Sequence, residues 1–220
     1  LGIIIGWMYA TKIIKLTTTN QYNFEQIKKS DFDDLIIYLI LPINFALSEN
    51  LNKTYFAGGC FWCMEESFEK LNGVKEVISG YSGGTTSNPT YKEVTFGNTG
   101  HFEVVEVIYD KNIISFKELL KNFWINIDPF DAFGQFCDKG YSYRSVAFYQ
   151  NQYEKKTIEE SIVNIEDKFN KRVVTYVREF KVFYKAEDKH QDYYQEYLLN
   201  YLMYKKGCGR EEVLKRIWKL

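Results

Sequence analysis

A chain of 220 residues with 45% apolar side chains has material for one full core plus a modest extension, and is too apolar to stay disordered. Its 28 basic and 29 acidic residues nearly cancel, to a net charge of −1, and they are scattered, which excludes the basic footprint of a nucleic-acid binder. The 18 Tyr and 17 Phe read as compositional drift, so a tyrosine is informative only where its position singles it out. The four cysteines stand at 60, 63, 137 and 208, too few and too unevenly spaced for a disulfide scaffold. One C-x-x-C pair, with His101 and His190 far apart, does not make a structural zinc site, and no metal is expected.

Residues 1–50 read as an extension, fragmentary or signal-like, because the chain opens on Leu1 rather than Met. The apolar runs 1–14 and 35–47 both fall short of the roughly 20 residues a spanning helix needs, so membrane association is not expected. The second run, followed by Ala46-Leu47-Ser48, has the length of a signal core. The acidic Asp31, Asp33 and Asp34 before it argue against export, and a cytoplasmic location is favoured.

Residues 51–220 are expected to form the functional domain. Thr54–Ala57 is a short strand, Gly58-Gly59 a turn, and 61–71 a helix. A strand follows at 75–79, then a Gly-rich loop to Tyr91, then a clear strand at 102–109. Ser115 and Glu118 form a capping box that opens a helix to about Ile125. After an irregular stretch to Ser142 come a strand at 146–149, a helix at 152–169 and a strand at 173–177. Helical patterns at 187–204 and 211–218 close the chain. The reading is a single α+β domain, a mixed sheet packed with helices, whose long loops carry the site.

Cys60 sits between two glycines and a helix. The first turn of a helix offers free N–H groups and the positive end of its dipole, which favour a thiolate at Cys60. Cys63, one turn away on the same side, is within reach of it. Inert packing is the plain alternative for both. Phe61 and Trp62 beside the sulfur suggest a pocket for a small apolar group, although core burial is the commoner fate of such rings. On the strand 102–109, alternation puts Glu103 on one face with Val105 and Val107, and Glu106 on the other. A carboxyl among valines is desolvated and held protonated, which suits a general acid. A satisfied strand-edge carboxylate is an equal reading from pattern alone.

The segment Gly59-Cys60-Phe61-Trp62-Cys63-Met64-Glu65 resembles the signature of the A-type peptide methionine sulfoxide reductases, which act on the S epimer. Gly80–Gly84, Asn88–Val94, Thr99–Glu103, Phe123-Trp124 with Ile127–Pro129, Gly134–Gly140, Tyr143–Ser145, Glu187–Tyr194 and Gly207–Arg210 resemble further blocks of that family in order. The resemblance covers about residues 54–218. It implies a ferredoxin-like two-layer core with long loops. It also implies that Cys60 attacks the sulfoxide sulfur, that Glu103 is the acid, and that Tyr91 and Tyr143 hydrogen-bond the substrate oxygen. Asp138 would help organise the site, and Phe61 and Trp62 would cage the S-methyl group. His101 and His190 would be structural.

A sulfenic acid left on Cys60 needs a resolving thiol. Cys63 and Cys208, the latter in a flexible-looking 205–209 turn, are the candidates, with Cys137 next; Cys137 departs from the commoner Asn at that place. The resemblance implies recycling by thioredoxin or a similar dithiol protein, with oxidised proteins or free methionine sulfoxide as substrate. Two other readings remain open. One is a general dithiol–disulfide oxidoreductase using the C-x-x-C pair, for which the Gly80–Tyr91 and Asp128–Tyr143 blocks have no purpose. The other is a small zinc-binding or interaction module.

Overall fold

A computed structural model describes residues 51–219, so the readings of 1–50, including the signal-like run, lie outside the described residues. Its strands are β1 (Leu51–Ala57), β2 (Val74–Ser82), β3 (Phe102–Asp110), β4 (Gly134–Gln135), β5 (Asp138–Lys139), β6 (Val146–Tyr149), β7 (Tyr176–Glu179) and β8 (Phe183–Lys185). Its α-helices are α1 (Phe61–Glu69), α2 (Tyr91–Phe96), α3 (Phe116–Ile125), α4 (Gln152–Phe169), α5 (Tyr193–Glu196), α6 (Leu198–Cys208) and α7 (Arg210–Trp218). No helix among the described residues is long and apolar enough to cross a membrane.

Six strands form one mixed sheet in the order β7-β6-β1-β3-β2-β8, antiparallel except for the β6–β7 pair. The central strand β3 is buried on both faces. Val105 and Val107 face the main core, where Phe61, Met64 and Phe68 of α1, Leu119, Leu120 and Phe123 of α3, and Ile158 and Ile165 of α4 pack. Those spacings are the buried stripes of amphipathic helices. Phe102 and Val104 face a second cluster with Tyr55, Val146 and Phe148, covered by Tyr176, Phe180 and Phe183. The expected α+β domain with a mixed sheet and packed helices is therefore observed.

The loop expected from Gly80 to Tyr91 is shorter, because Gly80–Ser82 pair with both β3 and β8 and so extend β2. It ends in a second capping box, where Thr90 and Glu93 open α2. The helix expected over 187–204 is broken. Glu187 binds the Tyr81 hydroxyl and the Tyr91 N–H, and Gln191 bonds the backbone of Ser79 and Ala186. Asp192, at φ +51, donates its N–H to Glu65. These ties to β2, α1 and α2 take the chain out of helical geometry until α5. The strand expected at 173–177 forms at Tyr176–Glu179, where it pairs with β6.

Cys208 is not in a flexible turn. It ends α6 and is disulfide-bonded to Cys137, 71 positions earlier in the chain. Cross-linking a loop of that length constrains the unfolded chain by about 4 kcal/mol on a chain-entropy view.

Candidate active site

The site is assembled where β1 ends and β3 begins. Their antiparallel register pairs Phe56 with Val105, so the Gly58-Gly59 turn after β1 passes beside Glu103. Gly59 has φ +82, and a Cβ there would come within 2.5 Å of Gln135. Only glycine lets the chain turn this tightly into α1. Cys60 is the N-cap residue, and the N–H of Phe61 donates to Glu103 Oε2 at 3.0 Å.

Glu103 is 1% exposed. Its Oε1 is buried without a hydrogen-bond partner. Burial pushes its pKa up to about 8, against the Phe61 N–H bond, which favours the carboxylate; the charge of Asp138 adds to the rise. At neutral pH Glu103 is thus a carboxylic acid whose second oxygen is uncommitted. Glu106 points the other way, accepting from Tyr55 (2.6 Å) and Lys53 (2.9 Å). The alternation read from the sequence is the alternation found.

Cys60 and Cys63 are free thiols, both buried. The expected depression of the Cys60 pKa by the helix start is not what the structure gives. Burial pushes Cys60 well above its ordinary range, and its hydrogen bond to Cys63 adds to the rise. Cys63 goes the other way, held down to about 6 first by the hydrogen bond from Cys60, against burial, with help from Arg210, Tyr201 and Lys205. The pair shares one proton, and its first ionisation is the easy one. Positive charge reaches the pair at Cys63, from Arg210 and Lys205.

Tyr91 and Tyr143 flank Glu103. Burial raises both, Tyr91 to about 12, so both hydroxyls stay protonated donors; Tyr143 interacts with Tyr91 and Glu103. Asp138 opens β5, and burial raises its pKa. It accepts the Tyr204 hydroxyl. Phe61 is fully buried against Tyr81, Tyr91 and His190. Trp62 is half-buried and stacks on Tyr193 with ring centroids 3.8 Å apart. The two rings are neighbours, but Phe61 belongs to the core rather than to an exposed pocket.

His101 is structural. Its Nδ1 accepts from the Gly84 N–H, and its Nε2 lies 2.7 Å from the Thr86 carbonyl. His190 packs on Tyr91 with ring centroids 4.4 Å apart, and burial lowers its pKa. Two groups among the described residues offer three metal-ligand atoms. In one, Cys137 and Cys208 are consumed by their disulfide. In the other, Glu65 already binds the Asp192 N–H and Glu69 the Tyr194 hydroxyl.

Three further residues belong to the site. Tyr201 and Tyr204 of α6 lie against Cys63 and Cys60. Arg210, 3% exposed, bonds the carbonyls of Gly58 and Asn126 and stacks on Phe136. Arg210 was visible as the charged residue of the closing Gly-Cys-Gly-Arg block; nothing distinguished the two tyrosines from the other sixteen.

Paired thiols, a neutral carboxylic acid and convergent phenol hydroxyls define a thiol-dependent oxidoreductase. The family model described as peptide methionine sulfoxide reductase matches residues 52–220. The peptide methionine sulfoxide reductase MsrA of Listeria innocua is 43% identical over 173 residues, covering 78% of this chain and 98% of the relative. That of Halalkalibacterium halodurans is 41% identical over 174 residues, covering 78% and 99%. Among solved structures, reduced Mxr1 from Saccharomyces cerevisiae superposes with a TM-score of 0.64 at 29% identity, covering 67% of this chain and 86% of that one. Methionine sulfoxide reductase A of Corynebacterium diphtheriae gives 0.61 at 30% identity, covering 67% and 75%. The chain belongs to the peptide methionine sulfoxide reductase family, A type.

Proposed function

We propose that this chain reduces methionine S-sulfoxide, free or in oxidised proteins, to methionine by thiol chemistry centred on Cys60. The observation that carries this reading is Glu103, a buried neutral acid tied to the residue after Cys60, with one oxygen left unpartnered. The Cys60 thiolate attacks the sulfoxide sulfur. Glu103 gives its proton to the sulfoxide oxygen, and Tyr91 and Tyr143 donate hydrogen bonds to it. The oxygen passes to Cys60 as a sulfenic acid, and methionine leaves. Trp62 and, behind it, Phe61 form the apolar side of the site for the S-methyl group.

Cys63 is the resolving thiol. It lies one helical turn from Cys60 in the same buried cluster, and attack on the sulfenic sulfur forms a Cys60–Cys63 disulfide and releases water. Cys137 and Cys208 then take over that disulfide by exchange, which leaves Cys60 and Cys63 as thiols, the arrangement present in the structure. Thioredoxin or a similar dithiol protein reduces Cys137–Cys208. All electrons arrive through thiols, so the reaction calls for no metal or bound organic cofactor. The catalytic unit is 51–220, with 1–50 an extension. A reducing compartment such as the cytoplasm supplies the dithiol; an exported enzyme would need another donor.

The test is stereochemical. Given a racemic methionine sulfoxide and a dithiol reductant, the protein consumes half of the substrate and stops, leaving the R epimer on chiral chromatography. Consumption of both epimers, or of neither, overturns the reading. The pH dependence follows from two groups. The thiol pair must be ionised, which occurs as pH rises through about 6, and Glu103 must be protonated, which is lost as pH rises through about 8. The profile of kcat/KM is therefore bell-shaped between these values, and Glu103→Gln removes the alkaline limb.

A further inference from the structure

Cys60 and Cys63 are each only 4% exposed, although a methionine sulfoxide has to reach them. What covers them is α6, through Tyr201 and Tyr204, with Trp62 and the α5 residues Tyr193 and Tyr194 at its side. Its Tyr201 hydroxyl donates to Glu66 on α1 at 2.5 Å, and Lys205 reaches the same carboxylate at 2.8 Å. Its Tyr204 hydroxyl donates to Asp138 and interacts with the Cys60 sulfur. The Tyr204 hydroxyl thus lies between the attacking sulfur and the Asp138 carboxyl, on a path a substrate would have to take to the sulfur. The helix is not otherwise embedded. Leu199 and Met203 on its outer side are 77% and 75% exposed, and Tyr201 is its one buried residue among those described. Its last residue is Cys208, bonded to Cys137 in the β4–β5 turn, immediately before Asp138.

We propose that α6 is a lid over the thiol pair, with Tyr204 as its plug and the Cys137–Cys208 disulfide as its latch, so that the dithiol that reduces the latch also opens the site to methionine sulfoxide. The inference rests on the reading of Cys60 as the attacking sulfur. The opening step is thiol–disulfide exchange. Two electrons and two protons pass from the external dithiol to Cys137–Cys208, giving two thiols here and a disulfide on the donor. With the covalent tie gone, α6 itself is held by a partly exposed ion pair, the buried Tyr201 ring and a few tyrosine hydrogen bonds. Arg210 of α7 keeps its far end anchored to Gly58 and Asn126, so the helix can lift by local fluctuation about that end. The device has a chemical use. An enzyme whose second cysteine pair is still oxidised cannot take over another disulfide, and a closed site keeps Cys60 and Cys63 from being stranded as a disulfide with no thiol pair to pass it to.

The test reads thiol accessibility rather than activity. Full-length protein with Cys137–Cys208 intact, and the same protein reduced with dithiothreitol and desalted, are treated with iodoacetamide. Alkylation of the peptide containing Cys60 and Cys63 is followed by mass spectrometry. The expected result is labelling at least ~10-fold slower in the latched protein, as for a site reached only through local opening. The Cys137→Ser/Cys208→Ser variant labels at the fast rate with or without dithiothreitol. Tyr204→Ala speeds labelling of the latched protein, whereas Leu199→Ala on the outer side does not. Equal rates in the two redox states, or a double variant as slow as the latched protein, overturn the lid. A single-turnover assay on the reduced protein separates the two ideas. Gated labelling without sulfoxide reduction would leave the lid standing and remove the assigned reaction.

Discussion

Replacing Cys60 with serine is expected to lower methionine S-sulfoxide reduction by at least ~10⁴-fold, the scale on which losing a nucleophile usually falls. The serine hydroxyl keeps the shape of the N-cap position, so the turn at Gly59 and the bond from the Phe61 N–H to Glu103 survive. The loss is therefore chemical. Single-turnover assays, with a circular dichroism melt alongside, check it: a folded Cys60→Ser protein that still reduces one equivalent of sulfoxide would place the attack elsewhere. Cys63→Ser separates the roles within the pair. It should still deliver one stoichiometric reduction, leaving a sulfenic acid on Cys60, and then fail to turn over.

Glu103→Gln is expected to slow formation of the sulfenic acid ~10²–10⁴-fold, the usual range for loss of a general acid, and to make the protein more stable. The sign follows from linkage. Folding raises the Glu103 pKa to about 8 from an ordinary value of 4.5. Below pH 4.5 both folded and unfolded chains hold the proton, and stability is unaffected. As pH rises from there towards 8 the unfolded chain gains a free carboxylate while the folded chain is kept neutral, so stability falls. An uncharged amide of the same shape removes that loss, worth roughly 1–3 kcal/mol at pH 7. Glu106→Ala should do the reverse. It leaves chemistry intact but strands the buried Tyr55 hydroxyl, costing roughly 1–3 kcal/mol. Stopped-flow rates and urea titrations of the two variants measure both quantities. Equal slowing by the two substitutions would remove the acid role.

The two carboxylates of β3 also mark what was legible in the sequence. A strict period of two on a central strand assigns Glu103 and Glu106 to opposite faces without any structure. The Ser115–Glu118 box fixed the start of α3 in the same way, and α4 is found over the residues its pattern spans. The equivalent Thr90–Glu93 box was present but sat behind Pro89 and a run of glycines, whose turn signal masked it. Elsewhere the deciding interactions are distant. Nothing local to 187–204 indicates that Glu187, Gln191 and Asp192 are engaged by β2 and α1, which is what breaks the helix there. Four cysteines allow three pairings, and a bond across 71 positions leaves no pattern in the chain. The upward shift of Cys60 is hidden from the sequence for the same reason. Burial and a neighbouring thiol outweigh the start of a helix, and neither can be weighed before the fold is known.

Arg210 has a bearing on how this protein comes into being. It lies 152 positions beyond Gly58, whose carbonyl it holds, and its charge helps set the ionisation of Cys63. A ribosome adds roughly 5–20 residues per second, so the signature cysteines are made several seconds before the arginine and the two tyrosines that surround them. Until then Cys60 and Cys63 are ordinary thiols, without the shared proton and without the buried acid at their side. The shared proton of the pair is therefore set only once α6 and α7 have been synthesised and have docked, and until then the signature cysteines lack the cover that α6 gives them.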